Sequence, residues 1–226
     1  MKLAIPNRTM RQKLERLLSG IPGNFSYHPR FISGLDQLVV FRDNGISCPE
    51  FTVHLEDAQK WVQAGHQVFG RNRNHEKGRD IVDQGSPAWQ GKDFWTKVVP
   101  NVRHEYRIHI FDHQHIQQGL KRFDPKAPRQ RNDDLPIRNT ETGYIYDHNF
   151  EPPSVGVDLA RRACQTVDYL WGAVDLLEDA GARCYVLEVN TAPGMDETTA
   201  HAYADAIKKY VEQSKQHVPS RNPRRP

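Results

Sequence analysis

Apolar residues recur along the chain at the two spacings that distinguish helices from strands. A spacing of three to four residues predicts five helices, over about 8–20, 31–41, 56–64, 155–170 and 198–214. The first helix would end at Gly20, ahead of Pro22, and Ser154 would cap the fourth. The segments between these helices follow a different period.

Apolar runs and alternating patterns predict strands between the helices. They fall within residues 46–53, 66–71, 104–112, 172–179 and 182–190, with a short strand around Ile116. Turns at Asp112–Gln114 and Asp179–Gly181 would join neighbouring strands into hairpins. Residues 123–153 are rich in Pro and charge, which predicts a long crossing loop. The pattern indicates an α+β fold with antiparallel hairpins.

The last predicted hairpin carries polar side chains inside otherwise apolar strands. Asp175 lies in GAVDLL, and Glu188 and Asn190, two residues apart in YVLEVN, share one face of their strand. Antiparallel pairing would bring side chains of equal facing to within about 5 Å. Three oxygen donors suit a hard cation such as Mg²⁺. The alternative is that both carboxylates are solvated residues of half-exposed strands.

The segment WGAVDLLEDAGARCYVLEVNTAPGMDETT resembles the C-terminal motif of the ATP-grasp superfamily, nearest to its ribosomal-protein glutamate ligase-like members. The shared pattern is an Asp on one strand, Glu-x-Asn on the next, and a small-residue Pro-Gly turn. The resemblance implies an ATP-grasp fold, in which two α+β lobes grip ATP between antiparallel sheets. It also implies that Asp175, Glu188 and Asn190 hold Mg²⁺, or alternatively Mn²⁺, against the phosphates of ATP.

Further site residues follow from the same resemblance. Arg107 and Lys121 take the positions of catalytic cations that face phosphate and the acyl intermediate. The remaining positions imply contacts with the nucleotide: the α- and β-phosphates at Arg71, the adenine edge at Lys97, Val98 and Val99, the ribose hydroxyls at Glu105, and the pair Arg138 and Asn139 typical of the glutamate-ligase branch.

The chain departs from the family pattern in its first part. Arg71 replaces a lysine, the loop NRNHEKGRD has Gly78 as its single glycine, and Gly34 stands near the place of another lysine. We expect four segments: residues 1–33 as an N-terminal helix and loop, 34–97 as the small lobe, 98–215 as the large lobe with the metal site, and 216–226 as a disordered basic tail. The resemblance also implies that the chain lacks most of the N-terminal substrate-binding domain usual in the family. We therefore expect substrate selection to depend on the loop 123–153 or on another protein.

The resemblance implies an ATP-dependent carboxylate-amine ligase that forms an amide bond through an acyl phosphate. The carboxylate and amine substrates stay open, and a peptide or another macromolecule is one alternative for the acceptor. The competing hypothesis is a non-catalytic nucleotide- or polyanion-binding module derived from such an enzyme. Oligomer formation and a weak contact between nucleic acid and the basic tail SKQHVPSRNPRRP are further open alternatives.

Composition excludes several other classes. The net charge is +3, and Cys48, Cys164 and Cys184 follow neither a disulfide nor a zinc-ligand pattern, which favours free thiols. The four histidines between residues 104 and 115 also lack a metal-ligand spacing. The N-terminal apolar stretch is too short for a signal peptide, and no window approaches a membrane span, so we expect a cytoplasmic protein without a membrane partner.

Overall fold

The structure, a computed structural model, describes residues 8–21, 30–73, 80–127 and 143–216. The chain divides into two compact units, one made of residues 30–191 and the other of residues 1–29 together with 192–226. The described part contains five α-helices: α1 (Arg8–Leu17), α2 (Gly34–Asp43), α3 (Leu55–Gln63), α4 (Ser154–Thr166) and α5 (Glu197–Gln216). None of these helices has the length and apolar character that crossing a membrane requires.

Nine strands form two antiparallel sheets in the described part of the larger unit. They are β1 (Phe51–Thr52), β2 (Val68–Arg71), β3 (Val82–Asp83), β4 (Phe94–Lys97), β5 (Val102–Phe111), β6 (Gln114–Phe123), β7 (Tyr144–Asp147), β8 (Trp171–Asp179) and β9 (Cys184–Asn190). The four-stranded sheet has the order β1-β4-β2-β3, and the five-stranded sheet has the order β7-β6-β5-β8-β9. The predicted mixture of helices and antiparallel hairpins is therefore confirmed.

The five-stranded sheet has one face in the hydrophobic core. Alternation along β5 buries Tyr106, Ile108 and Ile110 on this face, beside Val174 and Leu176 of β8. Helices α4 and α2 supply the opposing apolar side chains, among them Leu35, Leu38, Phe41, Leu159, Ala160 and Ala163. The opposite face is thereby left for polar side chains.

Helix α2 also closes the outer edge of this sheet. The Gln37 side chain is buried; its oxygen accepts a hydrogen bond from the Val189 N–H at 2.7 Å, and its amide donates to the Val189 carbonyl at 3.2 Å. The Val186 N–H donates to the Ser47 carbonyl at 2.8 Å. The hydrogen-bonding groups at Val189 and Val186 of edge strand β9 are thus paired with Gln37 of α2 and with Ser47, which follows that helix.

Several predicted helix limits differ from the structure. Helix α1 ends at Leu17 rather than at Gly20. Helix α2 begins at Gly34 rather than Phe31, because the Ser33 hydroxyl accepts a hydrogen bond from the Asp36 N–H and so caps the helix. Ser154 is the first residue of α4, not its cap, and Pro153 holds the cap position. Helix α4 ends at Thr166 rather than Leu170, and Asp168 follows with a left-handed φ of 57°.

The four-stranded sheet packs on helix α3 around tryptophan side chains. Trp89 and Trp95 are buried with Ala58 and Val68, and their rings meet edge to face with centroids 5.8 Å apart. The Trp89 indole donates to the Val68 carbonyl, and the Trp95 indole donates to the Trp89 carbonyl, both at 3.1 Å. These bonds satisfy both indole N–H groups inside the apolar cluster.

The smaller unit contains α1 and α5, which pack against each other. Leu14 and Leu18 are buried at the first helix, and Ala200, Tyr203, Ala204 and Ile207 are buried along the second. The Lys13 ammonium donates to the Met195 carbonyl at 2.9 Å.

One predicted loop contains a strand. Residues 144–147 of the predicted crossing loop 123–153 form β7, which pairs with β6. All three cysteines are free, as the spacing predicted, with Cys164 and Cys184 buried and Cys48 half-buried.

Candidate active site

The polar face of the five-stranded sheet collects most of the predicted site residues that the structure describes. Arg107 on β5 lies opposite Asp175 on β8, and Asp175 lies opposite Glu188 on β9. Directly opposed residues of antiparallel strands project to the same face, with β-carbons about 5 Å apart. Asn190 pairs with Ala173, two residues along each strand, so it shares that face as well.

A β-bulge in the β8–β9 hairpin brings the two carboxylates together. From the turn outward, Glu178 pairs with Cys184 and Leu176 with Val186, so an unbroken register would set Asp175 against Leu187. The register shifts between Asp175 and Leu176, and Asp175 pairs instead with Glu188. Because a shift of one residue changes the face of every later side chain, this bulge turns Glu188 toward Asp175.

Arg107 and Asp175 form a bidentate ion pair in the centre of the face. Arg107 donates from Nε to Oδ1 at 2.7 Å and from Nη2 to Oδ2 at 2.8 Å. The side chains are only 15% and 10% exposed, so the pair is largely desolvated. Burial opposes both charges, but the attraction between the partners raises the pKa of Arg107 and lowers the pKa of Asp175 from their ordinary values.

Lys121 and Glu105 form a second ion pair beside the first. Tyr106 pairs with Leu120 in the β5–β6 register, so the neighbouring Glu105 and Lys121 lie side by side, and the Lys121 ammonium bonds the Glu105 carboxylate. The Lys121 side chain is 9% exposed and the Glu105 side chain is 8% exposed. Burial by itself would lower the pKa of Lys121, but attraction to Glu105, and then to Asp175, raises it. Both predicted catalytic cations therefore carry a full charge at neutral pH.

The predicted role of Glu105 toward ribose hydroxyls stays a prediction. In the structure its carboxylate holds Lys121, and a carboxylate oxygen has lone pairs for more than one donor. Glu105 is therefore compatible with both contacts, and with a role in orienting Lys121.

Tyr146, which sequence reasoning missed, joins the two cations on the same face. It lies on β7 opposite Lys121, and its ring centroid is 4.8 Å from the Arg107 guanidinium carbon and 5.8 Å from the Lys121 ammonium. The signal that could have revealed it is Tyr144-Ile145-Tyr146, a β-favouring triplet that follows Gly143.

Arg71 reaches the same region from the four-stranded sheet. It ends β2, where its Nε donates to the Thr96 hydroxyl at 3.2 Å. Burial lowers the pKa of Arg71 from its ordinary value, and the attraction of Glu188 partly offsets this. Arg71 therefore lies within electrostatic range of Glu188 on the polar face.

The predicted adenine-contacting segment, Lys97 to Val99, begins at the last residue of β4. The N–H groups of Lys97 and Val98 donate to the Glu50 and Gln67 carbonyls, each at 2.9 Å. The Lys97 ammonium bonds Glu50 at 2.7 Å and lies 4.8 Å from the centroid of the Trp61 ring. Main-chain contacts to a base would therefore come from carbonyl groups or from the buried Val99.

Arg138 and Asn139 lie outside the described residues, as do the loop around Gly78 and the tail beyond residue 216. Their predicted roles in nucleotide binding and the predicted disorder of the tail stay predictions.

The predicted metal set consists of two carboxylates and an amide. Across the described residues, no group of three or more His, Cys, Asp and Glu side chains is arranged to hold a metal ion. The Arg107 fork uses one lone pair on each Asp175 oxygen and leaves the others for further partners. The donors thus fit Mg²⁺, which takes few protein carboxylates and completes its shell with water or phosphate oxygens.

Solved structures similar to this chain are ATP-grasp ligases. The ligase PsnB, complexed with a minimal precursor, superposes with a TM-score of 0.59 at 15% identity over 80% of this chain and 60% of PsnB. A Chryseobacterium gregarium RiPP-associated ATP-grasp ligase, in complex with ADP and a leader and core peptide, superposes with a TM-score of 0.57 at 14% identity, over 96% of this chain and 70% of that ligase. The chain therefore has the ATP-grasp fold, which confirms the fold prediction.

Sequence similarity is confined to a short segment. A D-alanine–D-alanine ligase from Pseudomonas putida (strain GB-1) is 45% identical over 42 residues, which is 18% of this chain and 13% of that ligase. No protein family has a sequence profile that matches the chain. The chain spans about 60% of the PsnB structure that it resembles.

Proposed function

We propose that the chain is an ATP-dependent carboxylate-amine ligase that works through an acyl phosphate. The observation that carries this proposal is the order of charges across one sheet face. Cations Lys121 and Arg107 lie on β6 and β5, whereas carboxylates Asp175 and Glu188 lie on the neighbouring β8 and β9. Such a face offers hard oxygen donors at one end and phosphate-binding cations at the other.

The proposed reaction has two steps. A substrate carboxylate oxygen attacks the γ-phosphorus of ATP; a new P–O bond forms, and the bond to the β-phosphate oxygen breaks to release ADP. An amine nitrogen then attacks the acyl carbon, phosphate leaves, and the amine loses a proton to solvent. Charge increases on the transferring phosphoryl oxygens, so fixed cations facing them lower the barrier.

The side chains of this face take distinct parts in the proposal. Arg107 and Lys121 stabilise phosphoryl and acyl-phosphate charge, and the buried pairs with Asp175 and Glu105 hold both cations in place before substrate arrives. Arg71 contacts the α- and β-phosphates. Asp175, Glu188 and Asn190 would hold Mg²⁺, which when bound shields the charge of the phosphate chain. A PsnB structure that contains Mg and ADP supports this assignment of cofactors.

Peptides come first among the acceptors to test. PsnB was solved with a minimal precursor and the Chryseobacterium gregarium ligase with a leader and core peptide. The acceptor panel therefore contains peptides with free amino or side-chain carboxylate groups, single amino acids, and an RNA oligonucleotide. Mass spectrometry after incubation with Mg·ATP would identify an acceptor by the mass change of amide formation.

The first prediction concerns Glu188. We expect Glu188→Gln to lower ADP release by about 100-fold or more, because the substitution removes one charge from the donor set and keeps the side-chain volume. The measurement is a coupled ADP assay with each acceptor, alongside the melting temperature. Glu56→Gln, at an exposed position on α3, is the matched control and should leave both values unchanged.

The outcomes separate this proposal from its alternative. Equal activity in Glu188→Gln and wild type would remove Glu188 from the mechanism. Wild type that binds Mg·ATP but forms no ADP with any acceptor would instead indicate the nucleotide-binding module. Wild type that does not bind Mg·ATP would contradict both functions.

A further inference from the structure

Tyr146 lies where its ring can fix the orientation of Arg107. The guanidinium carbon is 4.8 Å from the ring centroid, within the range of a cation–π interaction. Asp175 meanwhile binds the guanidinium through Nε and Nη2. A planar guanidinium can pair along its edge and stack on its face at the same time. The Arg107 guanidinium is therefore fixed by two groups, by Asp175 through hydrogen bonds and by Tyr146 through its ring.

The path of the ring across the sheet depends on Gly119. Tyr146 is on β7 and Arg107 on β5, so the ring must cross β6 between them. Gly119, the β6 residue opposite Arg107, lies directly beneath the Tyr146 ring. A β-carbon at this position would be 2.8 Å from the Tyr146 Cβ and 3.1 Å from its Cδ1. Any other residue would therefore push the ring away from its present place.

Tyr146 is neutral over the working pH range. Burial, followed by the negative charge of Asp175, raises the pKa of its phenol to about 12. A neutral ring presents its negative π-face to the cation without adding a charge that would compete with phosphate. The aromatic ring, more than the hydroxyl, accounts for the contact with Arg107.

We propose that Tyr146 is a positioning residue for the ligase reaction: its ring, seated on Gly119, holds the Arg107 guanidinium so that its remaining N–H groups meet the transferring phosphoryl group. This inference rests on the proposed function for its role in catalysis. The positioning itself is a property of the ligand-free protein and has a separate test.

The kinetic test compares four variants with wild type. Tyr146→Leu removes the ring, Tyr146→Phe keeps it, and Gly119→Ala displaces it. Tyr144→Leu is the matched control, because it removes a ring from the same strand and the same face. The Tyr144 ring packs on Phe123, with centroids 5.8 Å apart, rather than on a cation. The quantities to measure are kcat and KM for ATP, the affinity for Mg·ADP, and the melting temperature.

Tyr146→Leu and Gly119→Ala should each lower kcat by about 10-fold, which corresponds to a cation–π contact of typical strength. The affinity for Mg·ADP, which lacks the γ-phosphate, should change less than two-fold. Tyr146→Phe and Tyr144→Leu should retain wild-type kcat. A wild-type kcat in Tyr146→Leu, or an equal loss in Tyr146→Phe or Tyr144→Leu, would overturn the inference.

The structural test uses NMR of the protein labelled with ¹⁵N-arginine and needs no substrate. The Arg107 Nε–H signal, assigned by its absence in Arg107→Met, should show a ring-current shift in wild type and Tyr146→Phe. The shift should disappear in Tyr146→Leu and shrink in Gly119→Ala. If wild type shows no ATP turnover, the proposed function fails, and this spectrum still decides on positioning. An unchanged Arg107 signal in folded Tyr146→Leu would contradict it.

Discussion

The two faces of the five-stranded sheet each bury a carboxylate of β8, but they satisfy it in different ways. On the polar face, Asp175 is bound by the charged fork of Arg107. On the core face, Glu178 accepts a hydrogen bond from the Tyr106 hydroxyl at 2.6 Å and lies 3.1 Å from Nδ1 of His104. The ring of Phe150 covers this second cluster.

Both carboxylates have a pKa below the ordinary value, and the causes differ. Burial opposes ionisation in each case. The charge of Arg107 outweighs it at Asp175, whereas hydrogen bonds from Tyr106 and His104 outweigh it at Glu178. In the proposed function, Asp175 can bind a metal ion and Arg107 can bind phosphate, because each carries a full charge. The Glu178 cluster, built largely on the Tyr106 hydroxyl and the His104 imidazole beside the core, instead stabilises the fold. We therefore expect substitutions on the polar face to lower both activity and stability, and substitutions on the core face to lower stability alone.

The largest effect is expected when the polar-face pair is broken. Asp175→Asn should lower ATP turnover by about 100-fold or more and destabilise the protein by about 3 kcal/mol, because it leaves a buried Arg107 without its counter-charge. ADP release and urea unfolding measure the two losses. Asp158→Asn, at an exposed position on α4, is the control and should change neither value. Full activity in Asp175→Asn would show that the pair has no part in turnover.

A smaller effect is expected on the core face. Tyr106→Phe removes the hydroxyl that donates to the Glu178 carboxylate, and should destabilise the protein by about 2 kcal/mol, typical of a hydrogen bond to a charged group. Turnover per folded molecule should stay at the wild-type value, since Tyr106 projects away from the polar face. A large loss of kcat with unchanged stability would contradict the division between the faces.

The smallest effect concerns acid pH. Because the pKa of Asp175 is lowered in the folded protein, its contribution to stability is fully present above the unfolded-state pKa of about 4, and it is lost as the pH falls through the folded-state pKa. The stability difference between wild type and Asp175→Asn should narrow below about pH 4, by at most about 1.4 kcal/mol per pH unit. Urea unfolding at a series of pH values measures it. A constant stability difference down to pH 2 would mean that the pKa of Asp175 is not lowered in the folded protein.

Part of the site was predictable because its signals are local. The alternation of Tyr106, Ile108 and Ile110 gave the buried face of β5, and the turn after Asp179 gave the β8–β9 hairpin. The motif of Asp175 with Glu188 and Asn190 indicated the ATP-grasp fold, which the solved structures confirm. Each of these inferences depends on residues within one strand or one hairpin.

Strand β7 was missed because it lies in a segment dominated by Pro and charge. Four residues are too few to show a period, and the strand forms because β6 offers it an edge on which to pair. Tyr146 was missed with it. Its contact with Arg107 depends on the order of three strands and on a glycine in the middle one.

The sequence by itself determined the periodic elements, the hairpins and the kinds of donor atoms at the site, since these follow from side chains close together in the chain. Only the tertiary structure decided which charges meet. Arg107 reaches Asp175 because β5 and β8 are neighbours, and Glu188 faces Asp175 because a bulge shifts β9 by one residue. Strand order and register depend on the free energy of the whole sheet, to which residues far apart in the chain contribute, so no short stretch of sequence determines them.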